Sequence, residues 1–344
     1  MKSFSCSCGV RVFFDDYWCT ACGADVGYVP ALDEFLSRPP GAPRFVAADG
    51  STWKSCRNRD QLAVCNWLLR ADDAGHFCPA CALNSVIPNL STEHNMRLWR
   101  RLEHAKRRLV YSLLRFGLPL EAEHGRPPLR FEFLEDQRSN PQVAESLVMT
   151  GHRAGIITIN LLEADDVARH AVREQMSERY RTLLGHFRHE SGHYYEALLV
   201  PPGPPRDAYR ALFGDERADY AAALAHYHEA GPAPDWGARF VSPYASSHPM
   251  EDWAECWSHY LHIVDGLETA RATRFVPEPP SADWDQEISL WISVSVRLNE
   301  LARGLGVDDP YPFVLNGPVR AKLAFIHQRL SATRSDAAAA QAAR

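Results

Sequence analysis

The chain has 344 residues, of which 46% are hydrophobic and 23% charged, with a formal net charge of −6. Such a composition belongs to a globular protein of one large domain or two smaller ones. The acidic balance gives no reason to expect nucleic acid or an anionic membrane as partner, and no apolar run approaches the roughly 18 residues of a membrane helix. The opening "MKSFSCSCGV" carries one Lys but no long apolar core or small-residue cleavage site, so no signal peptide is expected and the expected location is cytoplasmic.

Eight of the nine cysteines precede residue 82. In a reducing setting, closely spaced cysteines point to metal before disulfides. Cys6, Cys8, Cys19 and Cys22 offer four thiolates on two short turns, the donor set of a tetrahedral structural zinc. Cys56, Cys65, Cys78 and Cys81 offer a second set. There "CPAC" is a standard knuckle, while Cys56 and Cys65 are far enough apart to need a loop between them. The alternative for this second set is two buried cysteines beside a redox or structural pair. Residues 1–90 therefore read as a small cysteine-rich zinc-ribbon module, with zinc supplying much of its folding free energy. Residues 30–52, rich in Pro, Gly and Ala, read as a linker with one short helical turn. The module carries eight Lys and Arg against nine Asp and Glu, which is no basic footprint for nucleic acid. A protein partner is the expectation instead.

From Ser91, "STEHNMRLWRRLEHAKRRLVYSLLRFGL" predicts a helix. Leu98, Leu102, Ala105, Leu109 and Leu113 recur at spacings of three and four and form one apolar face. Its basic residues, Arg97, Arg100, Arg101, Lys106, Arg107, Arg108 and Arg115, read as a solvated or salt-bridged face. "PLRFEFLED" (128–136) alternates Leu129, Phe131 and Phe133 with Arg130 and Glu132, a half-buried strand, and "GIITINL" (155–161) is a second strand. Helices are then expected over about 166–175, 177–199, 206–230 with a break, 249–272, 283–304 and 317–331. The reading is α+β, mostly helical with a short sheet over residues 91–333, followed by a disordered tail over 334–344.

"FRHESGHYYE" (187–196) carries the chemistry. On a helix, His189 and His193 lie one turn apart and can aim a nitrogen each at one zinc ion. Glu190 sits on the neighbouring side, where its carboxylate can take a proton from a zinc-bound water and pass it to a leaving amine. Gly192 is expected to leave space near the metal. A catalytic zinc needs a third protein ligand, and "HPMEDWAECW" offers two on one helical face. Of Glu251 and Glu255, one could bind the ion while the other orients a ligand histidine. Asp252 reads as a favourable charge in the helix's first turns.

These residues resemble the gluzincin pattern of zincin-like peptidases, in which a glutamate from a downstream helix is the third ligand. They are similar to the lethal-factor and Pro-Pro-endopeptidase type, where the ligand opens an E-x-x-A-E run and a tyrosine seven residues earlier faces the oxyanion. The resemblance implies zinc on His189, His193 and Glu251, Glu190 as base, Glu255 behind a ligand histidine, and Tyr244 stabilising the transition state. The whole chain also resembles a bacterial family of zinc-binding metallopeptidases with an N-terminal zinc ribbon. The motifs are "CTACG", "CNWL", "CPAC", "EHAKRRLVYSLL", "GIITINLLEADD", "FRHESGHYY" and "HPMEDWAE". "CSC" departs from the expected C-x-x-C knuckle and puts the geometry of the first zinc site in question.

His186 competes weakly as a ligand, His152 is expected beside a cleft-edge strand, and His259 and His262 read as surface or core residues. Cys256 reads as a small buried apolar residue. The leading function is a zinc metallopeptidase acting on a peptide or protein substrate, with one catalytic and two structural zinc ions. The alternative is a non-catalytic, zinc-stabilised binding or regulatory protein with a peptidase-like fold. Hydrolysis of a non-peptide amide would use the same metal chemistry.

Overall fold

The computed structural model describes residues 2–122, 125–175 and 182–342. The chain clusters into two compact units, residues 1–169 with 268–275, and residues 170–267 with 276–344.

The first unit opens with strands β1 (Phe4–Ser5) and β2 (Arg11–Val12), paired antiparallel. A hairpin follows, β3 (Asp25–Val29) with β4 (Glu34–Arg38), and then a three-stranded antiparallel sheet of β5 (Phe45–Val46), β6 (Thr52–Ser55) and β7 (Leu68–Arg70). Residues 30–52 are thus mostly strand and turn, not the expected linker with a helical turn. Phe35, Leu36 and Phe45 decide this: all three are buried, and Leu36, Phe45 and Ala47 join Val29, Trp53 and Leu68 in one core. The intervening Pro and Gly residues occupy turns, with Ala42 bonded back to Pro39 and Gly50 to Ala47.

Helix α1 (Arg57–Leu62) spans most of the gap between Cys56 and Cys65. Its chain is returned by Ala63 in the left-handed region, which supplies the loop that the spacing required. Strand β8 (Asn84–Val86) leads to helix α2 (Glu93–Arg115), capped by Thr92 Oγ1 accepting from Asn95 N. All five residues of its predicted apolar face are buried. Its basic residues are not uniformly solvated: Arg101 and Arg108 pair with Asp166 and Asp15, whereas Lys106 and Arg107 are buried.

Strands β9 (Arg130–Leu134), β10 (Gly151–Arg153) and β11 (Ile156–Asn160) complete a sheet of order β10-β11-β9-β8. Both predicted strands are present, and β9 pairs parallel with β8 and β11. The short strands β8 and β10 carry too little pattern to be read from sequence. Lys106 Nζ lies 5.8 and 5.6 Å from the Phe131 and Phe133 ring centroids, so α2 packs across β9. The arrangement is α+β.

The remaining helices are α3 (Asp166–Gln175), α4 (Leu183–Leu199), α5 (Pro204–Phe213), α6 (Tyr220–Ala230), α7 (Trp236–Arg239), α8 (Pro249–Ala272), α9 (Trp284–Gly304) and α10 (Gly317–Ala342). The expected 177–199 helix is described from Leu183, capped by Thr182, and residues 176–181 lie outside the described residues. The predicted break in 206–230 falls between α5 and α6. Helix α10 runs on through residues expected to be disordered, since their alanines are the strongest helix formers. No described helix is long and apolar enough to cross a membrane.

Candidate metal centres

Both cysteine sets converge. Cys6 Sγ lies 3.6 Å from Cys22 Sγ, Cys8 Sγ lies 3.7 Å from Cys19 Sγ, and Cys65 Sγ lies 3.6 Å from Cys78 Sγ. A tetrahedral zinc with Zn–S of about 2.3 Å separates its sulfurs by about 3.8 Å, whereas a disulfide joins them at about 2.05 Å. The spacing fits zinc, and all nine cysteines are free. The compact "CSC" also fits, because Gly9 at φ 84° turns the chain there and hydrogen-bonds back to Cys6 O, as Gly23 does to Cys19 O. The first set is half exposed through Cys8 and Cys22, while the second is wholly buried. In the second set, backbone N–H groups of Trp67 and Cys78 donate to Cys65 and Cys56 sulfur at 3.4 Å.

The third convergence lies in the other unit. His189 and His193 project one turn apart from α4, and Glu251 reaches them from the first turn of α8. The three offer donor atoms within 4.8 Å of one another. His189 Nε2 is 3.3 Å from His193 Nε2 and 2.9 Å from Glu251 Oε2. Two nitrogens about 2.0–2.1 Å from a tetrahedral zinc would stand about 3.3 Å apart. Glu255, one turn after Glu251, sits behind His189 with Oε1 2.8 Å from Nδ1, and its Oε2 accepts from Ser242 Oγ at 2.6 Å.

This second carboxylate gives a test of fit. If Nδ1–H donates to Glu255, the neutral ring is left with its Nε2 lone pair facing His193 and the Glu251 carboxylate. Acceptors then face acceptors unless a cation or proton sits among them. Electrostatics record the same demand. Burial pushes the His189 imidazolium down, but Glu251 and Glu255 outweigh it and hold its pKa well above the usual range. Burial likewise raises Glu251, and hydrogen bonds from His189 and His193 reverse the shift to well below the carboxylate range. The donor set fits a divalent zinc.

A family model described as "Putative zinc-binding metallo-peptidase" matches residues 95–329. The chain belongs to this metallopeptidase family. A zinc-ribbon model matches residues 3–92. Relatives of this family member include uncharacterized proteins of Mycobacterium bovis and of two strains of Mycobacterium tuberculosis. Each is 38% identical over 342 residues, covering 95% of this chain and 94% of the relative. No solved structure matches significantly.

In this metallopeptidase-family chain, the residues singled out from sequence fall as follows. Glu190 is buried on α4 beside the trio. Tyr244 lies in a short 3-10 turn before α8 with its ring 6.0 Å from that of His189. Burial first, then Glu251, raises its phenol pKa. His186 is not in the converging set. His152 belongs to the other unit, on β10, where its Nε2 accepts from Gly155 N. His259 is buried, bonded to Tyr311 Oη at 2.8 Å, and burial lowers it to about 4. Cys256 is buried and its thiol is raised by burial, as an inert core residue should be. Asp252 does more than charge a helix end, being fully buried with Lys322 Nζ 2.6 Å from its Oδ2.

One residue was missed. Tyr220, the first residue of α6, donates its hydroxyl to Glu251 Oε1 at 2.7 Å, and its ring packs on buried His248. No motif links it to Glu251, 31 residues downstream; the sequence shows only a helix over about 206–230 with a break, and Asp219 caps its second part.

Gly192 does not open space at the metal. A Cβ there would meet Trp257 Cδ1 at 2.9 Å and Ala254 Cα at 3.0 Å, so the missing side chain admits α8.

Proposed function

We propose that this chain is a gluzincin-type peptidase, hydrolysing peptide bonds at a zinc held by His189, His193 and Glu251. The observation that carries the reading is the convergence of these three donors with Glu255 fixed behind His189. Zinc, when bound, supplies a Lewis acid that acidifies water and polarises a carbonyl. The protein does the rest. Glu255 holds His189 with Nδ1 protonated, which directs Nε2 to the metal position. Glu190 accepts a proton from the attacking water on its carboxylate and returns it to the departing amine. Tyr244 donates its phenolic proton in a hydrogen bond to the oxyanion as charge develops there. Its raised pKa keeps that proton in place. Tyr220 holds Glu251 through Oε1. The two cysteine sets each hold a structural zinc, and nine cysteines outside any disulfide suit a reducing, cytoplasmic setting.

Cleavage of an unbiased peptide library by wild type and Glu190→Gln, with zinc measured in both, tests the reading. The variant should retain zinc and lose turnover. Turnover retained in Glu190→Gln would overturn the mechanism, and no cleavage by zinc-loaded wild type would favour a non-catalytic binding protein.

A further inference from the structure

Helix α2 belongs to the segment matched by the metallopeptidase model, whereas Cys56, Cys65, Cys78 and Cys81 belong to the segment matched by the zinc-ribbon model. Yet Arg107 of α2 is buried to 1% exposure and reaches the backbone next to that cysteine set. Its Nη1 donates to the carbonyl of Val64, the residue before Cys65. Its Nε has no hydrogen-bond partner, and among the described residues no carboxylate pairs with it. The carboxylates of Asp15 and Glu103 act on the guanidinium from a distance without pairing with it, and Cys65 and Cys81 act on it from the cysteine set.

A buried, permanently charged guanidinium without a counter-ion is costly. So is a buried tetrathiolate site, since four thiolates around one divalent ion leave two negative charges. The nearby Glu103 and Lys106 offset one another and leave the two thiolate charges to be balanced. Glu103 adds a further negative charge, with its Oε2 3.7 Å from Cys81 Sγ, and fully buried Lys106 answers that charge at 2.8 Å, with Asn84 bonded to both. Arg107 is therefore a buried positive charge, paired with no carboxylate, beside a site of net negative charge. We propose that Arg107 is the counter-ion of the zinc held by Cys56, Cys65, Cys78 and Cys81. This metal site is then completed by the metallopeptidase segment, and the second half of the ribbon is part of that segment's scaffold, not a free-standing recruiting module. The inference is independent of peptide hydrolysis.

Arg107→Gln and Arg107→Lys separate charge from shape. Both are made in the full chain carrying Cys8→Ser and Cys22→Ser, so that the thiolate-to-metal absorption of added Co²⁺ reports the second cysteine set. Zinc affinity is then read by chelator competition. Arg107→Gln should weaken zinc at this set about 10- to 100-fold, the usual effect of removing a group that supports metal ligands. Arg107→Lys should stay close to the parent, and should still fold and load metal even if Arg107→Gln fails to fold. Equal affinity in all three proteins would overturn the proposal. Equal loss or equal misfolding in Gln and Lys variants would also overturn it, since packing or the Val64 hydrogen bond would then account for the residue. So would a parent chain that takes up no metal at these cysteines.

Discussion

Gly192 and Ala254 mark the crossing of α4 and α8: a Cβ on Gly192 would lie 3.0 Å from Ala254 Cα. On either side of this contact, Trp253 Nε1 donates to Gly192 O and Trp257 Nε1 to Ser191 Oγ, both at 2.9 Å. The near approach of the two backbones lets short carboxylate side chains, Glu251 before Ala254 and Glu255 after it, reach opposite nitrogens of one imidazole. The small residues inside "HESGH" and "EDWAE" thus set the distance at which the polar ones meet.

Gly192→Ala should accordingly destabilise the fold. The methyl meets backbone at Ala254, which cannot swing aside as a flexible side chain could. Overpacking of this kind costs about 1–3 kcal/mol, partly offset by alanine's better helix propensity. Chemical denaturation measures the loss. Zinc affinity at the histidine site should fall with it, because the helices must separate. Unchanged stability would mean that the crossing is looser than the contacts imply.

Metal content separates the three donor sets. With two cysteine sets and the histidine site each holding one ion, the wild-type chain should contain three zinc ions, matching the three convergent sets among the described residues. His189→Ala/His193→Ala should contain two, measured by elemental analysis after gel filtration. Equal stoichiometry in the two proteins would leave the histidines without a metal role.

Tyr220→Phe tests the residue that no motif announced. Removing the hydroxyl takes away one hydrogen bond to Glu251 Oε1, leaving His193 Nε2 at 3.5 Å from that oxygen and the ring on His248. A lost hydrogen bond of this type changes stability by only about 1 kcal/mol. Supporting contacts to metal ligands affect metal affinity or activity by about 10- to 100-fold, so zinc affinity or turnover should fall much further than stability. A variant unchanged in both would make Tyr220 a bystander.

Why Tyr220 escaped notice, while His189, His193 and Glu251 did not, is a matter of range. The histidines share a helical turn, and Glu251 and Glu255 share another, so fixed helical geometry makes their spacing readable. The cysteines are readable because two knuckles tolerate few spacings. Tyr220 reaches the site from α6 through a tertiary contact with no local period. Arg107 was hidden differently. On an amphipathic helix a basic residue reads as solvated, and only the packing of α2 against the ribbon buries it. Strands β8 and β10 are three residues each, too short for an alternation to register, and residues 30–52 disguise strands between frequent turns.

Asp136 should make acid stability depend on a group outside the three converging donor sets. The carboxylate is buried, and burial alone would raise its pKa. Arg138, the Val148 N–H and the Asn160 side chain outweigh this and depress it well below the carboxylate range. A depressed folded pKa contributes stability that is present above the unfolded value, about 3.9, and lost as pH falls through the folded one. Asp136→Asn should therefore be less stable than wild type at neutral pH, by roughly 1.5–3 kcal/mol for charged hydrogen bonds. The gap should narrow below about pH 4. Urea midpoints across this range measure it, and a gap independent of pH would show that the charge is not what stabilises.

Lys322 and Asp252 offer a test of a buried ion pair next in sequence to Glu251. Both side chains are buried, and Lys322 Nζ also donates to Arg239 O and lies 4.5 Å from the Phe240 ring centroid. Removing one partner of such a pair leaves a charge out of water, at a cost of about 3–5 kcal/mol, whereas replacing both by neutral groups is often nearly neutral. Lys322→Met should therefore lower the unfolding free energy sharply, and Lys322→Met/Asp252→Asn should recover much of it. Because α10 carries Lys322 and the first turn of α8 carries Asp252, the single variant should also loosen Glu251 and reduce zinc retention at the histidine site. Additive losses in the double variant would mean that the two residues stabilise the fold separately, through packing and helix-end charge, and not as a pair.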